Sequence, residues 1–263
     1  MAPIGSKWRL DRPVEGTDAD PAVLPPAPPV AVAPPLAVPA PRPPLMCRTY
    51  LPDEYEPKYP YPLLVLFHPH GGCEGSVLDL MPRLSRRNFV GVSIRGPELL
   101  GVREDGRLAC GWGRDDSHTE LINEYVFKAV ESVRQACHVH SERVFLVGVC
   151  EGAAAAYRAA FTLADKVAGL VVLNGAMPRP TAGVPLFRPT ALRDLPVFVG
   201  HGVANARVPF TNAVRDHKLL YAAGADVEMH RYVTNNRLHP DMFKDVNRWV
   251  IDRISADSPR FVG

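Results

Sequence analysis

The sequence predicts an α/β fold, in which a mostly parallel central sheet is flanked by helices on both faces. Two continuous apolar runs, Pro62–His68 and Arg143–Val147, have the composition of strands that are buried on both sides. Other segments are amphipathic or alanine-rich, such as Ala153–Ala160, and favour helices. Because strand and helix patterns alternate without an internal repeat, a parallel sheet covered by helices is the expected architecture.

The first 44 residues are expected to lie outside this fold. Twelve of the 28 prolines fall between Pro13 and Pro44, in runs such as Pro25–Pro29. Proline lacks the N–H that helices and sheets require. Residues 1–44 are therefore predicted to form a disordered, proline-rich tail, and residues 45–263 the folded domain. The tail is interpreted as a spacer, with a ligand for a proline-binding module as the alternative.

The folded domain is predicted to begin with a strand at 46–51, which Pro52 and Asp53 end. The strand 62–68 stops at a turn that contains Pro69, and a long polar loop is expected from Arg95 to Asp116. His138 and His140 are expected at the surface, before the strand 143–147. The remaining expected elements are helix 76–87, strand 89–94, helix 119–136, strand 167–173, a proline-rich loop at 174–189, strand 196–200, helix 210–223, strand 226–232 and helix 241–254.

The segment Gly148–Gly152 has the pattern of a nucleophile elbow, Gly-x-Ser-x-Gly, with Cys150 in the place of serine. A buried strand precedes it and a helix of small residues follows it, which is the context that this motif requires. Glycines on both flanks let strand and helix approach closely and hold the middle residue in a strained turn. The alternative is an ordinary strand-to-helix turn with an inert, buried cysteine.

A second loop, His68–Gly72, follows the strand 62–68 and is called the oxyanion loop below. It is expected to meet the elbow, because open α/β sheets build sites at the carboxyl ends of their strands. The backbone N–H groups of His70 and Glu151 are the predicted oxyanion-hole donors. Pro69 has no N–H to offer. A structural or metal-binding pair is the alternative for His68 and His70. No third ligand with usable spacing follows them, so no metal is expected.

Two further loops supply the expected partners of the cysteine. His239 follows the last strand and precedes Pro240, which can open a helix, so its ring can reach back to the elbow. A helix cap or a surface histidine is the alternative. Asn205 lies in the loop after the preceding strand, so the order nucleophile, orienting residue, histidine is satisfied.

Composition narrows the classes of partner and compartment. A net charge of +2 gives no reason to expect that the protein binds nucleic acid or an acidic surface. No apolar run approaches the ~20 residues of a membrane span, and no apolar segment follows Lys7 and Arg9 as in a secretory signal. The five cysteines are odd in number and contain no Cys-x-x-Cys, which favours free thiols in a reducing, cytoplasmic compartment.

From Leu45 onwards the sequence resembles the phospholipase/carboxylesterase type of α/β-hydrolase, the small esterases related to dienelactone hydrolase and feruloyl esterase. Five landmarks carry the resemblance: Tyr61–His68 with Gly71 and Gly72, Arg95–Pro97, the elbow, His201–Pro209 and His239. The resemblance implies an α/β-hydrolase fold with an eight-stranded type of sheet. The sequence itself contains no evident helical lid inserted between the strands, so no large lid is expected. The resemblance also implies hydrolysis of carboxylic esters or thioesters without a cofactor.

The sequence departs from that family at three positions. Cys150 replaces serine, as in dienelactone hydrolase, Pro69 replaces a glycine of the oxyanion loop, and Asn205 stands where aspartate is usual. A cysteine can ionise before it attacks, and the start of the elbow helix favours the thiolate. The third residue then only orients the histidine ring, which a neutral asparagine can do, as in Cys-His-Asn proteases.

The expected activity is therefore that of an esterase or thioesterase with a Cys150–His239–Asn205 triad and a covalent acyl-enzyme. Gly71 and Trp112 are expected in the binding site for a small-molecule substrate. Trp112 and Phe187 are candidates for lining an acyl or aromatic site, although both rings can equally pack their loops. The alternatives are a catalytically inactive binding protein of the same fold and an acyltransferase that uses the same residues.

Overall fold

A computed structural model describes residues 44–179 and 192–256 of the chain. Residues 1–43 of the expected 1–44 tail, most of the proline-rich loop with Phe187, and the last seven residues lie outside the described residues. The described elements in chain order are β1 (Cys47–Tyr50), β2 (Tyr61–Phe67), α1 (Glu74–Leu78), α2 (Met81–Leu84), β3 (Val90–Ile94), β4 (Glu98–Val102), β5 (Leu108–Gly111), α3 (Asp116–Ala136), β6 (Val139–Val149), α4 (Glu151–Thr162), β7 (Gly169–Leu173), β8 (Pro196–Gly202), α5 (Phe210–Ala222), β9 (Asp226–Tyr232) and α6 (Pro240–Ala256).

The central sheet has the strand order β1-β3-β2-β6-β7-β8-β9. Only β1 runs antiparallel to its neighbour, and every other pair in this sheet is parallel. The predicted fold class, a mostly parallel sheet with helices, is confirmed. Within the described residues the sheet has seven strands, compared with the eight that the family resemblance implied.

Two apolar layers cover the sheet. One face packs against α3, α4 and α5 through side chains that include Tyr157 and Leu220. The other face packs against α1, α2 and α6 through side chains that include Met81 and Trp249. Every residue of β2 is buried, which explains why this strand reads as a continuous apolar run.

The helix expected at 76–87 is two short helices, α1 and α2. Pro82 lies in the first turn of α2, where a backbone N–H would have no hydrogen-bond partner inside the helix. The missing N–H of Pro82 does not allow one continuous helix through this point. The sequence prediction was wrong here because it gave Pro82 too little weight.

The long polar loop expected between Arg95 and Asp116 contains the antiparallel hairpin β4–β5. Its turn has Gly106 at φ +76°, which favours glycine. The hairpin is anchored on the oxyanion loop through a bridge between Gly72 and Cys110. Such a long-range contact leaves no local pattern in the sequence.

The strand that leads to the elbow is also longer than expected. β6 begins at Val139, which pairs with Tyr61, so His140 lies within the strand rather than before it. The described helices include none that combines the length and the apolar character of a membrane span. No three His, Cys, Asp or Glu side chains among the described residues are placed to hold a metal ion.

Candidate active site

Cys150 occupies the sharp turn between β6 and α4. Its backbone angles are φ 52° and ψ −116°, in a region that non-glycine residues seldom adopt. Such a conformation costs on the order of 1–3 kcal/mol and persists only where the surroundings hold it. Here the Cys150 N–H donates to the carbonyl of Leu173 at 2.9 Å, and the Cys150 carbonyl accepts from Ala153 N at 3.2 Å.

The glycines on both sides of Cys150 are required by close backbone contacts. A Cβ atom at Gly148 would lie 2.5 Å from the Cα atom of Ala153. A Cβ atom at Gly152 would lie 2.3 Å from the carbonyl oxygen of Phe67, at the end of β2. The elbow is therefore packed directly against the start of the oxyanion loop, and no side chain fits between them.

A cavity of about 270 Å³ lies beside Cys150. The oxyanion loop, α1, Arg103 and the chain before α6 form its walls. Its apolar lining comes from Val77, Leu80, Val149 and Leu238. The space beside the sulfur is thus partly apolar, with one permanent positive charge at Arg103.

The surroundings of Cys150 do not favour the thiolate. Burial raises the pKa of the Cys150 thiol above its ordinary value, and the positive charge of Arg207 opposes this only in part. The sequence argument expected the start of the elbow helix to favour ionisation before attack. In this conformation the cost of burying a charge is larger, so the resting form is the neutral thiol.

The backbone N–H groups of His70, which lines the Cys150 cavity, and of Glu151, which follows Cys150, have no backbone acceptor in the described residues. In the oxyanion loop, Gly71 N donates to Cys110 O at 3.0 Å and Gly72 N donates to Pro69 O at 2.8 Å. Within the described residues, neither His70 N nor Glu151 N donates a backbone hydrogen bond. Glu151 is the first residue of α4, where an N–H has no partner inside the helix.

The side chains of these two residues contact each other. His70 Nδ1 lies 2.7 Å from Glu151 Oε2, and the two side chains are 62% and 30% exposed. The sequence could not indicate where the Glu151 carboxylate points. It points to His70, which is one of the residues that line the Cys150 cavity.

His68, the other histidine of this loop, is a buried structural residue. Its Nδ1–H donates to Pro69 O at 2.9 Å, and its Nε2 accepts from Gly96 N at 2.9 Å. Burial lowers the pKa of His68 to about 4, despite the hydrogen bond to Pro69 O. The neutral ring connects β2 to the chain after β3, which agrees with the structural alternative for His68.

His239 lies immediately before α6, as the sequence predicted. Its Nδ1 accepts a hydrogen bond from Asp241 N at 3.2 Å, and its ring stacks at 6.0 Å from the Tyr232 ring. In the described part of the chain, no hydrogen bond joins His239 to Cys150 or to Asn205. The neighbouring residues Asn236 and Leu238 do line the Cys150 cavity, so this loop reaches the site while the ring is turned towards α6.

Asn205 is 3% exposed and holds its own loop together. Its Oδ1 accepts from Arg207 N and from Val208 N, both at 3.1 Å, and its Nδ2 donates to Asn174 O at 3.4 Å. The side chain is therefore fully engaged with backbone groups. The three residues of the expected triad are not joined by hydrogen bonds in this conformation.

Asn174 is a positioning residue that sequence reasoning missed. It is fully buried and has a φ of 53° at the carboxyl end of β7. Its Oδ1 accepts from Gly202 N at 2.8 Å and its Nδ2 donates to Arg237 O at 3.1 Å. It therefore ties the end of β8 to the loop that carries His239. Its position directly after a buried strand was the available signal.

The two expected substrate-binding residues support the oxyanion loop. Trp112 is fully buried, and its Nε1–H donates to His68 O at 2.8 Å. Its ring lies 5.2 Å from the Phe67 ring, so it packs beneath the loop, as the alternative reading allowed. Gly71 has a φ of +69°, and its carbonyl accepts from Arg103 Nη1 at 3.3 Å.

The chain is similar to one protein family in sequence and to several solved structures in fold. A family model described as Phospholipase/Carboxylesterase matches residues 58–252. A search among curated protein sequences found no match. The carboxylesterase of Bacillus cereus has a similar structure, with 20% identity, 80% of this chain and 94% of that chain covered, and a TM-score of 0.61. SOBER1 of Arabidopsis thaliana is 16% identical, and the match covers 74% of this chain and 99% of that chain with a TM-score of 0.59.

A phospholipase/carboxylesterase from Dyadobacter fermentans DSM 18053 is also similar in structure. It is 15% identical, and the match covers 78% of this chain and 95% of that chain with a TM-score of 0.59. At these identities the structures establish a common fold. The family match, which covers most of the chain, carries the assignment.

Proposed function

Because the chain belongs to the phospholipase/carboxylesterase family of α/β-hydrolases, we propose that it hydrolyses carboxylic esters or thioesters with Cys150 as the nucleophile. The observation that carries this proposal is the strained elbow. It holds a thiol beside a cavity and next to two backbone N–H groups without an acceptor. A strained residue at the carboxyl edge of a parallel sheet is the arrangement from which this fold performs acyl transfer.

In the proposed first step, the Cys150 sulfur attacks the carbonyl carbon of the substrate and forms a C–S bond. The electron pair of the C=O bond moves to oxygen, and the N–H groups of His70 and Glu151 donate to the resulting oxyanion. His239 takes the thiol proton and gives it to the leaving alkoxide or thiolate as the bond to that group breaks. Acyl-Cys150 remains.

In the second step, His239 takes a proton from water, whose oxygen attacks the acyl carbon. The tetrahedral intermediate collapses to a carboxylic acid as the C–S bond breaks, and the sulfur regains its proton from His239. A neutral Cys150 thiol at rest is compatible with this mechanism, because His239 takes the proton during the attack rather than before it.

Both steps require His239 to turn away from the start of α6. At rest its Nδ1 accepts from Asp241 N, whereas a base oriented by Asn205 donates from this nitrogen. Asn236 and Leu238 already lie at the cavity, so we propose that rotation of the His239 ring completes the site, with Asn205 Oδ1 releasing one of the two backbone N–H groups that it accepts at rest. Catalytic hydrogen bonds often form only when substrate is bound.

Turnover of p-nitrophenyl acetate tests the proposal. The parent protein is expected to release p-nitrophenolate steadily, and Cys150→Ala is expected to lose at least about 1,000-fold in kcat/KM. Cys137→Ala is the matched control, because Cys137 is a partly exposed free thiol outside the Cys150 cavity. Undiminished turnover by Cys150→Ala would show that the cysteine is not the nucleophile.

A catalytically inactive binding protein of the same fold is the second candidate. It is favoured by the protonated state of Cys150 and by the orientation of the His239 ring. This candidate predicts no turnover by the parent with any of a series of p-nitrophenyl and thiol esters. A parent activity that Cys150→Ala abolishes would exclude it.

A further inference from the structure

The two residues that offer the free N–H groups also bind each other through their side chains. His70 lies in the oxyanion loop and Glu151 at the start of α4, 81 positions apart in the chain. The 2.7 Å contact between His70 Nδ1 and Glu151 Oε2 therefore connects the two halves of the proposed oxyanion hole. None of the roles proposed above uses these two side chains.

The two backbones need such a connection, because the oxyanion loop is held less firmly at His70 than on either side. Gly71 and Gly72 are fixed by hydrogen bonds to Cys110 O and Pro69 O, and the elbow is fixed by Leu173 O. Within the described residues, His70 itself hydrogen-bonds to the Glu151 carboxylate alone, and its side chain is mostly exposed. The pair thus adds a second link between the two N–H groups, beyond the packing of Gly152 against Phe67 O and His68 O.

We propose that the His70–Glu151 pair is a clamp that positions the two oxyanion-hole N–H donors, and that its side chains act on the rate without touching the substrate. The proposal rests on the proposed function. A donor contributes to catalysis only when it lies about 2.7–3.1 Å from the oxyanion, so a small change in the separation of the donors is costly. Since the oxyanion forms only during the reaction, the clamp affects kcat rather than KM.

The test is a double-mutant cycle on p-nitrophenyl acetate hydrolysis with His70→Ala, Glu151→Ala and the double variant. Each single variant is expected to lower kcat by about 10- to 100-fold with KM within about twofold of the parent value. The double variant is expected to lose no more than either single variant, because the second substitution removes a contact already broken.

Conservative variants separate the clamp from acid–base chemistry of the ring. Glu151→Gln keeps an acceptor oxygen at the same distance from the backbone, and His70→Asn keeps an N–H donor near the position of Nδ1. Both are expected to retain kcat within about fivefold of the parent. If His70→Asn is as slow as His70→Ala while Glu151→Gln is active, the ring itself does the chemistry and the clamp is wrong.

Glu228→Ala is the matched control, because Glu228 pairs with His230 on β9 and the pair lines a separate cavity. It is expected to leave kcat and KM unchanged. Thermal unfolding of each variant excludes misfolding, since a pair this exposed contributes about 1 kcal/mol or less.

The possible failures are distinguishable. A parent that does not hydrolyse the ester overturns the proposed function and the clamp with it. An active parent whose alanine variants keep the parent kcat, lose activity additively or change only in KM overturns the clamp alone.

Discussion

Arg207 is the charged residue whose field lowers the pKa of the Cys150 thiol, against the effect of burial. Replacing Arg207 with alanine removes this field, so the thiolate fraction falls at any pH below the pKa of the thiol. Alkylation of Cys150 by iodoacetamide at neutral pH is therefore expected to slow by about two- to fivefold in Arg207→Ala. Peptide mapping after timed labelling gives the rate at this one cysteine.

Arg207→Lys is the control for this prediction, because it keeps a positive charge near the sulfur. It is expected to alkylate at close to the parent rate. A rate in Arg207→Ala equal to or above the parent rate would mean that the arginine does not act on the sulfur through its charge.

At the residue scale, the sequence could assign positions but not orientations. Cys150 is where the glycine pattern put it, because the close contacts at Gly148 and Gly152 depend on residue size. The direction of the Glu151 carboxylate and of the His239 ring depends on neighbours far away in the chain. No local pattern encodes such contacts.

The strand–turn–helix element around Cys150 depends on Gly152. An alanine there would place its Cβ atom 2.3 Å from Phe67 O and 2.5 Å from His68 O, both of which are backbone atoms. Because these atoms cannot move without displacing the oxyanion loop, Gly152→Ala is expected to cost about 2–4 kcal/mol of unfolding free energy and most of the activity. Urea unfolding measures the first and ester turnover the second.

Gly75→Ala provides the comparison, since Gly75 is also a buried glycine near the start of a helix. Its Cβ atom would lie 3.1 Å from the flexible end of the Arg48 side chain and at an ordinary contact distance of 3.9 Å from Cys73 Sγ. It is expected to change the unfolding free energy by less than about 1 kcal/mol. If both alanine variants are equally stable, the close packing of the elbow does not constrain residue 152.

At the element scale, the sequence predicted the strands of the core better than the features of the surface. Continuous apolar runs identify β2 and β7 because every residue in them is buried. The hairpin β4–β5 was missed because it is short, and because it exposes apolar side chains at Leu99 and Val102. Its pairing partners lie partly in the oxyanion loop, so the pattern is not local.

At the scale of the whole molecule, His68 links global stability to pH. Its pKa is about 4 in the folded protein, compared with about 6.5 for an unperturbed histidine. The unfolded chain therefore binds a proton between these pH values that the folded protein does not, so stability falls as pH falls from about 6.5 to 4. Titration of His68 alone is expected to lower the unfolding free energy by about 3 kcal/mol over this pH range.

The measurement is the unfolding free energy in urea at a series of pH values for the parent and for His68→Gln. The glutamine has no titrating group but can still accept from Gly96 N. Its stability is expected to be lower than that of the parent at neutral pH but to depend less on pH between 6.5 and 4. Equal slopes for the two proteins would contradict a neutral, buried His68. The buried His201, whose pKa burial also lowers, contributes equally to both slopes.

The overall architecture followed from the alternation of strands and helices, but the order of strands in the sheet did not. Alternation requires parallel pairing with crossovers and leaves the neighbours of each strand open. The observed order puts β6 between β2 and β7, which brings the elbow next to the oxyanion loop and to Asn174. The residues of the candidate site are thus brought together because their strands are neighbours in the sheet, although they are far apart in the chain.

The most direct test of the account is to look for an acyl group on Cys150. The parent protein is mixed with p-nitrophenyl acetate, quenched in acid at short times and digested, and the peptides are analysed by mass spectrometry. We expect one acetyl group on the peptide that contains Cys150, with none on the same peptide from Cys150→Ala. An active parent that carries no acetyl group on Cys150 at any time, or carries it on another side chain, would contradict the account.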